Sequence, residues 1–476
     1  MKILVLNCGS SSVKFQLIRI EDERELAKGL MEKIGSGDAV ITYQPAEKNR
    51  MREVREILNH EVAIEIALSM LMHPQHGVIG NKTEINGIGH RVVHGGEEFT
   101  ESVFINEEVK GAIRKCIQFA PLHNPHNLSG IEACESLLSG VPQVAVFDTA
   151  FHHTIPPKAY IYGLPYALYK KLGIRRYGFH GTSHQFVSKK AAEYLKKPLA
   201  KLKMVTCHLG NGASITAVNE GKSIDTSMGF TPLEGLVMGT RCGDIDPALV
   251  PYIMEKENLS TKEINNIMNK HSGMMGLTET SNDNREIVAE ALRGSAQHQL
   301  ALDIYANRVK KYIGAYMAEM GGLHSIVFTG GIGENSSYVR KLILTGMQGL
   351  GIDIDLEKND QNEIAISTGK IKVLVIPTNE ELAIARDTCK VLQKRPDKGD
   401  QVIPEGIDFD NDKRLSREEK AQLVLLWAQS PDIAVEELAQ QLEKKCGRSL
   451  PVMLVEQELE HFGLIATSVE NDHDKN

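Results

Sequence analysis

Three strand-to-turn segments of similar design constrain this chain more than any other feature. Ile3-Leu4-Val5-Leu6 is a continuous β-forming run that enters the turn Asn7-Cys8-Gly9-Ser10-Ser11-Ser12 and resumes through Val13, Phe15, Leu17 and Ile18, the pattern of a tight hairpin. The turn carries an amide, three hydroxyls, small residues that let backbone N–H groups face a ligand, and then the cation Lys14. That is the equipment of a phosphate clamp. The arrangement returns where Met204-Val205-Thr206-Cys207 leads into His208-Leu209-Gly210-Asn211-Gly212 and on through Ala213, Ile215, Ala217 and Val218. A partial third copy, Ile326-Val327-Phe328-Thr329, ends at Gly330-Gly331-Ile332-Gly333-Glu334-Asn335. Two such units in two halves of one chain predict a duplicated α/β domain pair with a phosphate chain held in the cleft between them.

A chain of 476 residues is too long for one core, and its 24% charged and 42% hydrophobic residues are ordinary for a globular protein. No run approaches the roughly 18 apolar residues of a membrane helix, so no membrane partner is expected. Seven cysteines without a C-x-x-C pair point to a reducing, cytoplasmic compartment. From Gln401 onward there are 16 acidic and 8 basic residues, so the net charge of -8 resides in the tail and the main body is formally neutral. Neither part has the basic stripe of a nucleic-acid binder.

Residues 21 to 50 read as strands and turns, His60 to Met72 as an amphipathic helix, and Ile85 to Gly96 as a strand ending on a glycine pair. His90 and His94 are not a metal pair on a strand, where residues four apart lie about 13 Å apart. Arg91 is a cation in an otherwise apolar strand and requires an anion, either a ligand or a structural aspartate. Phe119 to Asn127 is a proline-bounded loop before a helix expected from Leu128 to Leu138, with Asn124 or Asn127 as its cap. Val144 to Phe147 ends at Asp148, at the strand edge where α/β proteins place metal or substrate chemistry; the carboxylate could equally cap the next turn. Thr182 or Ser183 should cap the following helix, leaving His180 just outside an N-terminus that favours anions. Arg241 sits in a glycine-rich turn, residues 261 to 320 read as mostly helical, and Thr378 with Glu381 fits a capping box that leaves Glu380 free. No G-x-x-x-x-G-K-[ST] loop and no G-x-S-x-G elbow occurs, which disfavours a Walker-type nucleotide site and a serine hydrolase.

Asn7-Cys8-Gly9-Ser10-Ser11-Ser12-Val13-Lys14 and Gly178-Phe179-His180-Gly181-Thr182-Ser183-His184 match two signatures in place and in order. With them, residues 1 to about 395 resemble the acetate kinases of the sugar kinase, Hsp70 and actin superfamily. The resemblance implies two ribonuclease H-like domains around a central cleft: residues 1–150, completed by helix 381–395, and residues 151–380, which bind nucleotide. It implies ATP/ADP and acetate/acetyl phosphate as partners, Mg²⁺ with Mn²⁺ as a substitute, and a homodimer. Asn7 and Glu380 would belong to the metal site, with Ser10, Ser12 and Lys14 near the transferred phosphoryl group. Arg91 and Arg241 would hold the carboxylate and the phosphoryl oxygens, His180 would stabilise the transition state, and Asp148 would act at the reacting centre. His208, Leu209, Gly210, Asn211, Gly212, Asp283, Asn284, Arg285, Gly331, Ile332, Gly333, Glu334 and Asn335 would bind nucleotide. Val93, Leu122, Phe179 and Pro232 would enclose the methyl group. A propionate or other short-chain acyl kinase is the alternative.

Residues 396–412, rich in Pro, Gly and Asp, read as a linker to a small helical extension over 413–468 that the resemblance does not cover. Helical patterns at 417–429, 435–445 and 450–461 carry Leu423, Leu426, Trp427, Leu438, Leu442, Leu454, Leu459 and Phe462 as one prospective core. The acidic charge argues against DNA binding, so a protein partner is the expected use of this segment.

Overall fold

The computed structural model describes residues 1–121, 123–394, 422–423, 426, 434–446, 452, 455 and 459. Two compact units divide the chain, Met1–Pro396 and Asp397–Asn476.

The first unit contains two sheets. One comprises β1 (Lys2–Cys8), β2 (Ser12–Arg19), β3 (Arg24–Glu32), β4 (Ser36–Pro45), β5 (Met51–Ile57), β6 (Gly87–Val92), β7 (Val103–Phe104) and β8 (Gln143–Phe147), in the order β5-β4-β3-β2-β1-β6-β8-β7. The other comprises β9 (Lys203–Leu209), β10 (Ala213–Asn219), β11 (Lys222–Thr226), β12 (Ser325–Thr329) and β13 (Lys372–Val375), in the order β11-β10-β9-β12-β13. The segment β3-β2-β1-β6-β8 is joined by two antiparallel and then two parallel pairings. The whole second sheet has that same sequence of pairings. The duplication expected from the two hairpins is therefore present in the topology. Even the turns correspond: Gly9 N donates to Ser12 O at 2.8 Å, and Gly210 N donates to Gly212 O at 3.1 Å.

Between the sheets lie the helices Gly181–Leu195 and Glu380–Gln393. A single apolar layer joins Ile3, Val5 and Val146 of one sheet to Met204, Val327 and Leu374 of the other through Val187, Ala191, Ile384 and Ala385 of the helices. The outer faces are covered by His60–Leu71 and Asn124–Leu137 on the first sheet and by the long helix Ala296–Glu319 on the second. Helix Glu380–Gln393 approaches β6 closely because two glycines face it. A Cβ at Gly87 would stand 2.5 Å from Leu392 Cδ1, and one at Gly89 would stand 2.7 Å from Ile384 Cγ2 and collide with Thr388 Oγ1. Gly89→Val is expected to overpack this layer and cost roughly 1–3 kcal/mol, read as a lower urea midpoint; an unchanged midpoint would mean the helix can retreat at no cost.

Three local expectations are corrected. The helix after the proline-bounded loop starts at Asn124, earlier than expected, and neither asparagine caps it. Both are buried and bond distant backbone instead: Asn127 Oδ1 accepts from Val93 N at 3.1 Å while its Nδ2 donates to Cys8 O at 2.8 Å. Asn124 likewise exchanges bonds with both backbone groups of His94. Thr182 and Ser183 lie inside their helix, and His180 itself occupies the cap position, at φ 57° and ψ 24°. The capping box of Thr378 and Glu381 does not form. Asn379 caps, its side chain accepting from Leu382 N at 2.9 Å.

In the second unit the helix Val435–Cys446 agrees with the expected pattern. Leu423, Leu426, Leu438, Ala439, Leu442, Val455 and Leu459 form its core. Trp427, Leu454, Phe462 and the linker 396–412 lie outside the described residues. No described helix is long and apolar enough to cross a membrane.

Candidate active site

The strand ends and turns of both sheets meet at one place. Arg91 leaves β6 beside Asp148, which follows β8 directly and is 1% exposed. The pair is bidentate, with Arg91 Nε donating to Asp148 Oδ1 at 3.0 Å and Nη2 to Oδ2 at 2.6 Å. The aspartate that a structural arginine would need is thus another predicted site residue. Burial opposes the guanidinium charge, but Asp148 and then Glu380 outweigh it and raise its pKa. The backbone of Asp148 is fixed on both sides, its N–H donating to Val92 O and its carbonyl accepting from Gly181 N, each at 3.0 Å.

Gly181 opens the helix capped by His180. A positive φ is rare for a residue with a side chain and is sustained only where the surroundings hold it. Here His152 Nε2 donates to Phe179 O at 2.9 Å, and the His180 ring stacks on His208 with centroids 4.3 Å apart. The His180 pKa lies well below the usual histidine value, first through burial and then through His208 and Arg91; that of His208 falls to about 4, again mainly through burial. A Cβ at Gly212, in the second hairpin turn, would stand 3.6 Å from both Arg241 Nη1 and His180 Nε2. The second turn, the arginine and the histidine therefore converge.

Arg241 differs from Arg91. Its described partners are the Pro232 carbonyl at 3.3 Å and the Met238 thioether at 3.7 Å, and burial lowers its pKa. A half-buried guanidinium without a carboxylate is costly unless an anion joins it. Val93, Ala120 and Phe179 belong to one apolar cluster, and Pro232 touches Arg241 through its carbonyl. Leu122 lies outside the described residues.

On the first hairpin, Asn7 and Lys14 are cross-strand partners, and Lys14 forms an ion pair with Glu381. Glu380 is next to it. Burial raises the Glu380 pKa, Arg91 pulls it back, and Asp148 and Glu381 add to the rise. Asn7 and Glu380 offer hard oxygen donors, and Asp148, held by Arg91, adds negative charge beside Glu380. Such a set fits a divalent cation completed by phosphate oxygens and water. Among the described residues no group of three or more His, Cys, Asp or Glu side chains is placed to hold an ion unaided.

A cavity of about 1030 Å³ opens beside the second hairpin. Gly210, Asn211, Asp283, Asn284, Arg285, Gly331, Ile332 and Asn335 line it, so eight of the predicted nucleotide residues share one space. His208, Leu209, Gly212, Gly333 and Glu334 are not part of that lining. Glu334, in the short helix Gly330–Asn335, instead accepts from Gly330 N at the start of that helix at 2.9 Å and from Thr378 N at 3.1 Å. The apolar wall of Met274, Ile287, Val288, Leu292, Tyr305 and Tyr338 was not foreseen, because these residues look like ordinary helix faces in sequence. Nor was Arg340, fully buried behind the helix Gly330–Asn335 that follows β12, where it donates to Gly333 O at 2.9 Å and Glu334 O at 3.0 Å.

The acetokinase family model matches residues 2–386. This chain belongs to the acetokinase family. The acetate kinase of Desulfitobacterium hafniense is 54% identical over 398 residues, 83% of this chain and 100% of the relative. That of Methanosarcina acetivorans is 55% identical over 397 residues, 83% of this chain and 97% of the relative. Among solved structures, the acetate kinase of Porphyromonas gingivalis superposes with a TM-score of 0.78 at 45% identity, covering 82% of this chain and 99% of its own. A propionate kinase from Francisella tularensis gives a TM-score of 0.78 at 44% identity, with the same coverage. The acetokinase portion is thus matched almost end to end, and the second unit lies beyond it.

Proposed function

We propose that this acetokinase family member transfers the γ-phosphoryl group of ATP directly and reversibly to acetate, giving acetyl phosphate and ADP. The observation that carries this reading is Arg241, a half-buried cation with no acidic partner among the described residues, converging with His180 on the backbone of Gly212. Phosphoryl transfer spreads negative charge over the equatorial oxygens of the transferred group, so positioned donors and cations supply most of the catalysis. Arg241 and His180 would face those oxygens and Arg91 the carboxylate, while Gly210, Asn211 and Gly331 would cradle the nucleotide. Asp148 spends both carboxylate oxygens on Arg91. It aims that guanidinium and removes no proton, since acetate, with a carboxyl pKa of about 4 to 5 by analogy with Asp and Glu, is already ionised at neutral pH.

A divalent cation, Mg²⁺ with Mn²⁺ as a substitute, would be held through Asn7 and Glu380 and would neutralise charge on the phosphate chain. The compartment is cytoplasmic and the assembly a homodimer in this reading. Production of ATP from ADP and acetyl phosphate tests the reaction, and its absence in a folded preparation that binds ADP would oppose it.

Val93 and Phe179, buried in one apolar cluster, set substrate size in this reading. One methylene is worth about 1–3 kcal/mol in such a pocket, so propionate should be a poorer substrate rather than an excluded one. Val93→Ala is expected to raise kcat/KM for propionate relative to acetate, measured with both acids in parallel. An unchanged ratio would remove Val93 from the pocket.

A further inference from the structure

Behind His180 runs a buried chain of hydrogen bonds that the reaction as proposed does not require. His180 Nδ1 lies 2.9 Å from Ser214 Oγ, and Ser214 Oγ lies 2.7 Å from His184 Nε2. His184 Nδ1 in turn lies 2.8 Å from Thr206 Oγ1. Ser214, His184 and Thr206 are all fully buried. Ser214 is on β10, Thr206 on β9 and His184 one turn into the helix that His180 caps, so the chain ties that helix to two adjacent strands of the second sheet. His184 meets the edge of His152 at 5.8 Å and of His208 at 6.2 Å, while His208, Arg91 and Arg241 are the charged or titratable groups that His180 faces.

Protons can run along this chain in two directions without charging any ring. In one, the Thr206 hydroxyl donates to Thr216 O, and successive donation leaves Nδ1–H on His180 and a bare Nε2 beside Gly212. In the other, Thr206 donates to His184 Nδ1, His184 Nε2–H to Ser214, and Ser214 to His180 Nδ1, leaving Nε2–H on His180 as a donor. Thr206 Oγ1 is 3.4 Å from Thr216 O but 2.8 Å from His184 Nδ1. The 2.8 Å contact is made in either direction and only the long 3.4 Å bond to Thr216 O is exclusive to the first, so a phosphoryl oxygen accepting from His180 Nε2 outweighs that bond and selects the second. The second direction gives a neutral ring the donor that phosphoryl oxygens require.

We propose that Ser214, His184 and Thr206 are positioning residues that hold the His180 ring in place and keep Nε2–H, the tautomer that donates to the transferred phosphoryl group. The proposal rests on the role given to His180 above. Ser214→Ala breaks the chain at its first link and is expected to lower kcat at least tenfold, with KM for acetate and ATP nearly unchanged.

The deciding test is a double-mutant cycle with His180→Ala. If Ser214 acts through His180, adding Ser214→Ala to His180→Ala produces no further loss of kcat. Equal loss in both backgrounds, or wild-type kcat in Ser214→Ala alone, overturns the proposal. Should Ser214→Ala fail to fold, Thr206→Val and Thr206→Ser replace it in the same cycle. Valine keeps the shape and lacks the proton donor, so the serine variant should retain more activity than the valine variant. Equal activity of the two would contradict the chain. Full kcat in His180→Ala alone would instead reject the role of His180, so the two failures are distinguishable.

Discussion

Arg91→Ala is expected to lower kcat/KM for acyl phosphate formation by about a thousandfold or more, the scale of removing a preorganised charge partner from a transition state. The same substitution leaves Asp148, 1% exposed, without the guanidinium that now binds both of its oxygens. Breaking a buried ion pair from one side costs about 3–5 kcal/mol, so the variant should also unfold at lower urea. Replacing both partners separates the two effects. Arg91→Met with Asp148→Asn should recover part of the stability and none of the activity. Full recovery of activity would show that the pair is structural only.

Acidification should destabilise the protein strongly, because many histidines are buried in the neutral form. Burial is the main cause in each case: it lowers His90, His152 and His208 to about 4 and His94 to about 3, and places His180 and His184 well below the usual value. Above pH 6.5 these rings are neutral whether the chain is folded or unfolded. As pH falls from 6.5 toward 4, the unfolded chain takes up protons that the folded chain refuses, so stability is lost with falling pH across that window. Each ring contributes at most about 1.4 kcal/mol per pH unit there, and His123, also lowered to about 4 mainly by burial, adds a seventh, so together they give at most about 10 kcal/mol per unit. Asp225, raised to about 6 by burial, works in the opposite sense between pH 6 and its unfolded value and returns a small part. Urea unfolding at pH 7.5, 6.5 and 5.5 reads the slope. A flat profile would mean the rings exchange protons with solvent in the folded state.

Much of the architecture is legible in the chain, for identifiable reasons. The two hairpins show because unbroken apolar runs frame short turns of small residues, and a duplicated strand order follows from their repetition. Arg91 shows because a cation in an apolar strand demands a partner, although pattern alone does not reveal that the partner is Asp148. In the tail, Leu423, Leu426, Leu438, Leu442 and Leu459 show because helical spacing alone groups them, and they share one core.

What stayed hidden depends on distance or on close local competition. Asn124 and Asn127 look like caps beside a proline turn, yet their bonds reach His94 and Cys8, partners that no neighbouring residue signals. Thr378 and Glu381 have capping-box spacing, but Asn379 takes the cap while Glu381 pairs with Lys14 and Ser183 donates to Thr378. The apolar wall of the cavity beside the second hairpin uses helix positions whose periodicity fits burial in any core. His180 was legible as a residue and not as a conformation, because its left-handed backbone depends on His152, on the helix it begins and on the strands behind it.

The most direct test of the central claim is formation of acyl phosphate from acetate and ATP, trapped as the hydroxamate with hydroxylamine and followed with and without Mg²⁺. Product that depends on ATP, acetate and the metal, with propionate giving less, is the predicted result. A folded protein that binds ATP yet yields no hydroxamate from either acid would contradict it.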